Sequence, residues 1–194
     1  MSKPGSEVEG AAHWRKLLIR AYARFHEISQ ASKAPSPGLI PYTAADVASE
    51  TKGDIIWGWG VPTEVRETIN SMNSWSVHLR NWGVWNDVLA EQSSEADQWD
   101  ISAHFIEPIA SFCMLQPASV SERMVVASET AMHHASRLIY PDEPDRLDQD
   151  GLKPNAVLRK KDRRKQLERL GAKWTAFPPF FAALSELDGK DYRG

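Results

Sequence analysis

Apolar side chains recur at intervals of three and four residues along most of this chain. The first run comprises Trp14, Leu17, Leu18, Ala21, Phe25 and Ile28. Such spacing places the side chains on one face of an α-helix. The pattern predicts a helix from about Glu9 to Ser32. Pro35, Pro37 and Pro41 then predict a loop or an extended arm over residues 34–43.

The most regular apolar stripe follows Pro62, a residue suited to the first turn of a helix. Its members are Val65, Ile69, Met72, Ser76, Leu79 and Gly83, and the stripe is widened by Trp75, Trp82, Trp85 and Leu89. This pattern predicts a long central helix over about residues 62–92, with Leu79 in the core. A short helix capped by Thr43 is expected to precede it. The segment 55–60 is expected to be irregular, with a short strand as the alternative.

The second half of the chain predicts four further helices. One runs over about residues 96–115 and is kinked at Pro108. The next is opened by a capping box, Ser119 with Glu122, and runs to about residue 140. An acidic loop over residues 141–154 leads to a basic helix within residues 153–173, which is capped by Asn155 and ends at Gly171. A last helix is expected over residues 178–189.

These elements predict an all-α fold. We expect a single irregular bundle of five to seven helices over residues 1–194, with one long central helix and a flexible segment over residues 1–8. The composition, 42% hydrophobic and 25% charged, is ordinary for a globular protein. The eight tryptophans predict a Trp-rich core, with an aromatic-lined groove as the alternative.

The lone cysteine, Cys113, lies in an apolar run and is expected to be a buried small hydrophobe. One cysteine cannot form an intramolecular disulfide, so a secreted disulfide framework is excluded. The polar, acidic N-terminal residues lack the apolar stretch of a signal peptide. No stretch approaches the eighteen apolar residues of a membrane-spanning helix. We therefore expect a cytoplasmic protein without a membrane partner.

Two histidine–glutamate pairs are the strongest metal-ligand candidates, although the prediction is that no metal or other cofactor binds. His104 lies three residues before Glu107, and Glu129 lies four residues before His133. Pairs of this kind on adjacent helices can build a metal site inside a bundle. However, the Glu-x-x-His order of di-iron bundles is absent. His133 also lies near the end of its predicted helix, where the helix dipole favours a cation without any ligand.

Enzyme motifs are sparse. Arg20 and His26 have the Arg-x₅-His spacing found in the helical nucleases called HEPN domains. Six residues correspond to about 600° of rotation, so side chains on one continuous helix would point about 120° apart. Phosphate-binding loops, dinucleotide fingerprints, nucleophile elbows and His-Glu-x-x-His are absent from the sequence.

Charge is the most uneven feature of the chain. Residues 153–173 contain nine basic and two acidic residues, a net charge of +7, whereas the whole chain has −3 and the remainder therefore −10. A concentrated cationic segment is typical of a surface that binds an anionic partner. The alternative is a solvent-exposed basic face that balances the charge of the acidic loop over residues 141–154. The candidate partner-binding residues are Arg159, Lys160, Lys161, Arg163, Arg164 and Lys165.

The sequence thus favours a non-enzymatic interaction module whose basic helix contacts nucleic acid or an acidic protein surface. Two alternatives stay open. One is a helical-bundle enzyme, either a metal-dependent hydrolase or a HEPN-like nuclease. The other is a homo-oligomer that binds a hydrophobic ligand in a Trp-lined pocket.

Overall fold

The computed structural model describes residues 4–31, 38–53, 55–142, 144–153 and 156–189. Within these ranges the chain is all-α, as predicted, and no residue lies in a strand. Its helices are α1 (Pro4–Ala31), α2 (Thr43–Glu50), α3 (Ile55–Ala90), α4 (Glu95–Ile101), α5 (Glu107–Ile139), α6 (Lys160–Gly171) and α7 (Phe177–Gly189). A π-helical turn joins α4 to α5 over Ser102–Ile106, and a 3-10 turn covers Asp148–Gly151. The predicted all-α helical bundle with a long central helix is therefore confirmed.

The chain divides into two compact units. Unit 1 comprises residues 1–39 and 73–115, and unit 2 comprises residues 40–72 and 116–194. Each unit includes part of α3 and part of α5. The expected flexible segment over residues 1–8 falls partly on residues 1–3, outside the described part, and α1 already begins at Pro4.

α3 begins seven residues before the predicted start at Pro62, so Pro62 lies inside the helix. The expectation that residues 55–60 are irregular or extended is therefore wrong. A proline inside a helix leaves a carbonyl in the preceding turn without its usual donor. At Pro62 this is the carbonyl of Gly58, four residues back. The hydroxyl of Thr63 donates to the next carbonyl, that of Trp59, at 2.7 Å. Val61 is buried next to the proline, so packing favours continuation of the helix.

α5 is one helix of 33 residues, with Pro117 inside it. The two separate helices predicted on either side of residues 116–119 are therefore wrong, and no new helix starts at the Ser119 capping box. Val120 and Ser121 are almost fully buried. Burial on this scale stabilises the continuous helix more than a local cap can stabilise a break.

The irregularity expected at Pro108 is present, but it precedes the proline. Over Ser102–Ile106 the backbone widens into a π turn, and the Glu107 N–H donates to the Ser102 carbonyl, five residues back. Pro108 has no N–H and its ring crowds the preceding turn. A π turn is one way in which a helix accommodates such a residue.

Leu79 is 44% exposed, so its predicted place in the core is wrong. The buried positions in this half of α3 are Val84, Trp85 and Val88. The predicted stripe followed strict four–three spacing, whereas a straight helix drifts by about 20° per heptad relative to that spacing. Over a helix as long as α3 the stripe therefore rotates away from the packed face.

The core of unit 1 joins α1, α3, α4 and the start of α5. Its buried residues are Leu17, Ala21, Trp85, Val88, Ile101 and Ile106. The Trp85 ring stacks between Phe25 and Phe105, with ring centroids 4.6 and 4.0 Å away. Trp85 is the buried tryptophan of the eight, whereas Trp14, Trp59 and Trp99 are exposed. Trp82 packs partly buried against this core and Trp174 against the core of unit 2, so the predicted Trp-rich core is confirmed in part.

The core of unit 2 forms where α6 and α7 pack on α5. Val125, Leu167, Phe177 and Leu184 are its buried residues. α6 ends at Gly171, as predicted, and this glycine lies directly against the Phe177 ring. The chain needs a glycine here because a Cβ atom would collide with that ring. The predicted cap Asn155 lies outside the described residues, and α6 begins at Lys160.

Candidate functional site

The acidic loop of unit 2 is held by cationic groups and backbone donors of the same unit. Asp145 accepts from Arg137 Nη1 at 2.8 Å, and its Oδ1 lies 3.0 Å from His133 Nε2. Asp148 is paired with Arg169 at 2.8 Å. Asp150 accepts from the Leu147 N–H at 2.7 Å. Asp145 and Asp148 thus fasten the loop to α5 and α6, and Asp150 closes a turn within the loop.

A buried carboxylate lies under this loop. Glu129, on α5, is 1% exposed. Its Oε2 accepts from Arg163 Nη1 at 2.7 Å, and its Oε1 accepts from Gln166 Nε2 at 3.0 Å. Burial raises the pKa of Glu129, and the hydrogen bonds from Gln166 and Arg163 oppose that rise. The buried pair anchors α6 to α5.

Gln166 connects the carboxylate to the loop. It is fully buried, and its Nε2 donates to Gln149 Oε1 at 3.0 Å as well as to Glu129. Its Oε1 accepts from the Asp148 N–H. The sequence analysis missed Gln149 and Gln166. A sequence signal for Gln166 was present: residues 163, 166, 167 and 170 have the spacing of a single helix face, which indicates that Gln166 lies on the packed side of the helix.

The four metal-ligand candidates are divided between the two units. His104 and Glu107 belong to unit 1, and Glu129 and His133 belong to unit 2. The Glu129 carboxylate is engaged by Arg163 and Gln166. No group of three or more His, Cys, Asp or Glu side chains within the described ranges is arranged to hold a metal ion.

A cavity of about 430 Å³ lies beside the loop. Its lining residues are His133, Pro144, Arg146, Leu147, Asp148, Arg169 and Leu170. The imidazole of His133 is buried and is held by Asp145. The exposed guanidinium of Arg146 is in no ion pair with any described residue. The cavity can therefore receive a small polar or anionic group.

The structure divides the six predicted partner-binding residues into two sets. Arg163 is turned inward onto Glu129, and half-buried Arg164 donates to the Leu184 carbonyl and to Ser185 Oγ, both at 3.3 Å. The other four are exposed: Arg159, Lys160, Lys161 and Lys165. Two of the six candidate cations therefore hold α6 in place, and four face solvent.

Arg20 and His26 both lie on the continuous helix α1, so the rotation argument against a joint nuclease site applies. Both side chains are exposed. The His26 ring contacts Tyr22, with ring centroids 4.6 Å apart.

Comparison of the chain with models of protein families, with curated proteins and with solved structures finds no match in any of the three. Among the described helices, none has the length and apolar character needed to cross a membrane. Function is therefore inferred from the side chains themselves.

Proposed function

We propose that unit 2 binds an anionic partner through the solvent face of α6. The observation that carries the proposal is the pair Lys161 and Lys165. Both are exposed, they are four residues apart on one helix face, and neither is in an ion pair with a described residue. Arg159 adds a third exposed cation at the N-cap. Arg169 lies one turn further along the same row and lines the cavity, where its guanidinium is paired with Asp148.

The geometry of this row suits a polyanion. Residues four apart rise by about 6 Å along a helix, so the row presents positive charge at regular short intervals. Lysine and arginine side chains of this kind neutralise phosphates and release counterions. The rest of the chain is net acidic and repels a polyanion. Binding is therefore expected to depend on this one face.

Nucleic acid is the first partner to test, in binding measurements over a series of salt concentrations. If the face contacts about three to four phosphates, the slope of log affinity against log salt is about −2.7 to −3.6 on duplex DNA. The test variant is Lys161→Glu with Lys165→Glu. It should lose about two of these contacts and reduce the slope by about 1.8. Arg163 is left intact because a glutamate there would face the buried Glu129.

The matched control is Arg15→Glu with Lys16→Glu. It makes the same change in net charge at two exposed positions of α1 in unit 1. A loss of affinity confined to the α6 variant supports the proposal. Equal losses in both variants would show a general charge effect and contradict the proposal.

An acidic protein partner is tested in parallel with polyglutamate. Failure of the wild-type chain to bind DNA, RNA and polyglutamate at low salt would refute the proposal.

The enzyme alternative has one observation in its favour, which is the cavity beside His133. A histidine held by a carboxylate at the edge of a cavity can act as a general acid or base. For the alternative of a metal-dependent hydrolase, Glu129 is a poor ligand, because its carboxylate is already bonded to Arg163 and Gln166. Incubation of wild type and His133→Ala with labelled RNA and DNA tests the nuclease form. Cleavage by the wild type that His133→Ala lacks would favour the enzyme.

A further inference from the structure

The cavity beside the acidic loop, called the loop cavity below, has an unneutralised positive charge in its wall. Its volume of about 430 Å³ is in the range of small-molecule sites. Among the described residues that line it, Arg146 and Arg169 are the arginines and Asp148 is the carboxylate. Arg169 is paired with Asp148 at 2.8 Å. Arg146 is exposed, and its guanidinium is in no ion pair with any described residue.

The aspartate next to Arg146 in the sequence does not supply the missing partner. Both oxygens of Asp145 are engaged elsewhere, Oδ1 by His133 at 3.0 Å and Oδ2 by Arg137 at 2.8 Å. The Arg146 side chain lies instead across the 3-10 turn, where its Nη2 is 3.0 Å from the position that a Cβ would take at Gly151. The guanidinium of Arg146 is therefore available to an anion that enters the loop cavity.

The charges of the wall favour a ligand with a single negative charge. One unpaired guanidinium neutralises one negative charge, whereas a second negative charge on the ligand would be repelled by Asp148. The planar guanidinium of an arginine can form two parallel hydrogen bonds with a carboxylate. A carboxylate is thus the anionic group that fits Arg146 best.

The rest of the wall favours an apolar body on the same ligand. Pro144, Leu147 and Leu170 line the cavity with apolar side chains. His133 also lines it, but its Nε2 is already engaged by Asp145. A few convergent polar groups in a partly apolar wall are typical of sites for small organic molecules.

We propose that the loop cavity binds a small organic monocarboxylate with an apolar body. Arg146 binds the carboxylate, and Leu147 and Leu170 contact the apolar body. The proposal does not depend on polyanion binding by α6, because Arg146 does not belong to the row of cations on that helix. It also requires no catalysis by His133.

The experiment uses two probes of nearly the same shape. 2-Naphthoate carries one negative charge, and 2-naphthamide is its neutral counterpart. Affinities of both probes are measured by NMR titration at one fixed salt concentration, for the wild-type chain and for Arg146→Gln. The wild type is expected to prefer naphthoate, and this preference should fall by roughly three- to tenfold in Arg146→Gln. The ratio of the two affinities cancels any effect of the substitution on the apolar contact.

Two further variants control for net charge and locate the site. Arg123→Gln removes the same charge from an exposed arginine of α5 in the same unit, outside the lining of the loop cavity, and should leave the preference unchanged. Leu147→Ala shortens an apolar side chain of the wall and should weaken both probes. Circular dichroism and melting temperature show whether each variant folds.

Any of three results would overturn the proposal. The first is equal affinity of the wild type for both probes, or no saturable binding of naphthoate. The second is an equal loss of the preference in Arg123→Gln and Arg146→Gln, which would show a general charge effect. The third is tighter binding of 2-naphthyl phosphate than of naphthoate at a pH at which the phosphate is a dianion, because the cavity would then be a phosphate site.

Discussion

Glu129 and Arg163 form an ion pair in which the carboxylate is 1% exposed and the guanidinium side chain 16% exposed. Removal of one partner from a buried pair leaves an uncompensated charge in a poorly solvated site. Arg163 also belongs to the basic segment that suggested partner binding. Its role in the described structure is to hold α6 on α5. Basic side chains two positions apart on α6 therefore differ in role, since Arg163 is turned inward and Lys161 faces solvent.

We expect Arg163→Met to lower the free energy of unfolding by about 3–5 kcal/mol, because Glu129 stays buried without its cation. Urea denaturation measures this change. Lys161→Met is the control on the same helix, and it should alter stability by about 0.5 kcal/mol or less. Equal effects of the two substitutions would contradict the structural role of Arg163.

The raised pKa of Glu129 predicts a pH effect on stability. In the unfolded chain a glutamate titrates near pH 4.3, which is a typical value. Between that pH and the raised folded pKa, the folded state binds more protons than the unfolded state. Stability therefore falls as pH rises through this window, and the loss is complete above the folded pKa.

Glu129→Gln lacks this titration. The free energy of unfolding of the wild type, minus that of Glu129→Gln, should therefore decrease as the pH is raised above about 4.3. Urea denaturation of both proteins between pH 4 and pH 8 measures the difference, and contributions of the other groups cancel. An increase with pH would show that the bonds from Arg163 and Gln166 outweigh burial.

Two glycines in helices predict opposite effects of the same substitution. A Cβ at Gly171, the last residue of α6, meets the Phe177 ring, whereas a Cβ at Gly83 of α3 meets nothing within 4 Å. Gly171→Ala should cost about 1–3 kcal/mol by overpacking. Gly83→Ala should stabilise the chain by about 0.5–1 kcal/mol, since alanine favours a helix interior. Melting curves of both variants test the prediction, and a gain in stability from Gly171→Ala would show that Phe177 can move aside.

At the scale of the helix, the contribution of a leucine to the free energy of unfolding depends on whether its side chain lies on the packed face. Leu17 of α1 is 1% exposed, and Leu79 of α3 is 44% exposed. Leu17→Ala should lower the free energy of unfolding by about 2–5 kcal/mol. Leu79→Ala should lower it by about 0.5 kcal/mol or less. Chemical denaturation distinguishes the two, and a cost at Leu79 as large as that at Leu17 would contradict the observed orientation of α3.

At the scale of the whole molecule, the separation of charge dominates. A segment of net charge +7 belongs to a chain of net charge −3, and its exposed cations are lysines and arginines. Contacts from such side chains to phosphates set position and affinity but carry no sequence information. Binding is therefore expected to depend on the charge density of the polyanion more than on its base sequence.

We accordingly expect two DNA duplexes of equal length and unrelated sequence to bind with Kd values within about threefold of each other, because phosphate contacts do not distinguish bases. Competition experiments at one fixed salt concentration measure the ratio. A single-strand competitor of equal charge provides the control for duplex geometry. A preference of about a hundredfold for one duplex would show base readout and contradict the proposal.

The sequence by itself determined the helical class of the fold and several helix ends. Three- and four-residue spacing and glycine stops are local properties, so they can be identified without knowledge of the fold. The end of α2 at Glu50, the end of α6 at Gly171 and the end of α7 at Gly189 follow the predictions. The predicted cap of α2 at Thr43 is wrong, because Tyr42 is the N-cap and no side chain caps the helix. The location of the cationic segment was equally visible.

Tertiary structure alone decided which helices continue and which side chains turn inward. Pro62 and Pro117 lie inside long helices, although each was predicted to mark a helix boundary. Glu129 is joined to Arg163, which lies 34 residues away in the sequence. Such outcomes depend on burial and hydrogen bonds supplied by residues distant in the chain. The free energy of these long-range interactions exceeds that of the local caps and helix propensities that a sequence reveals.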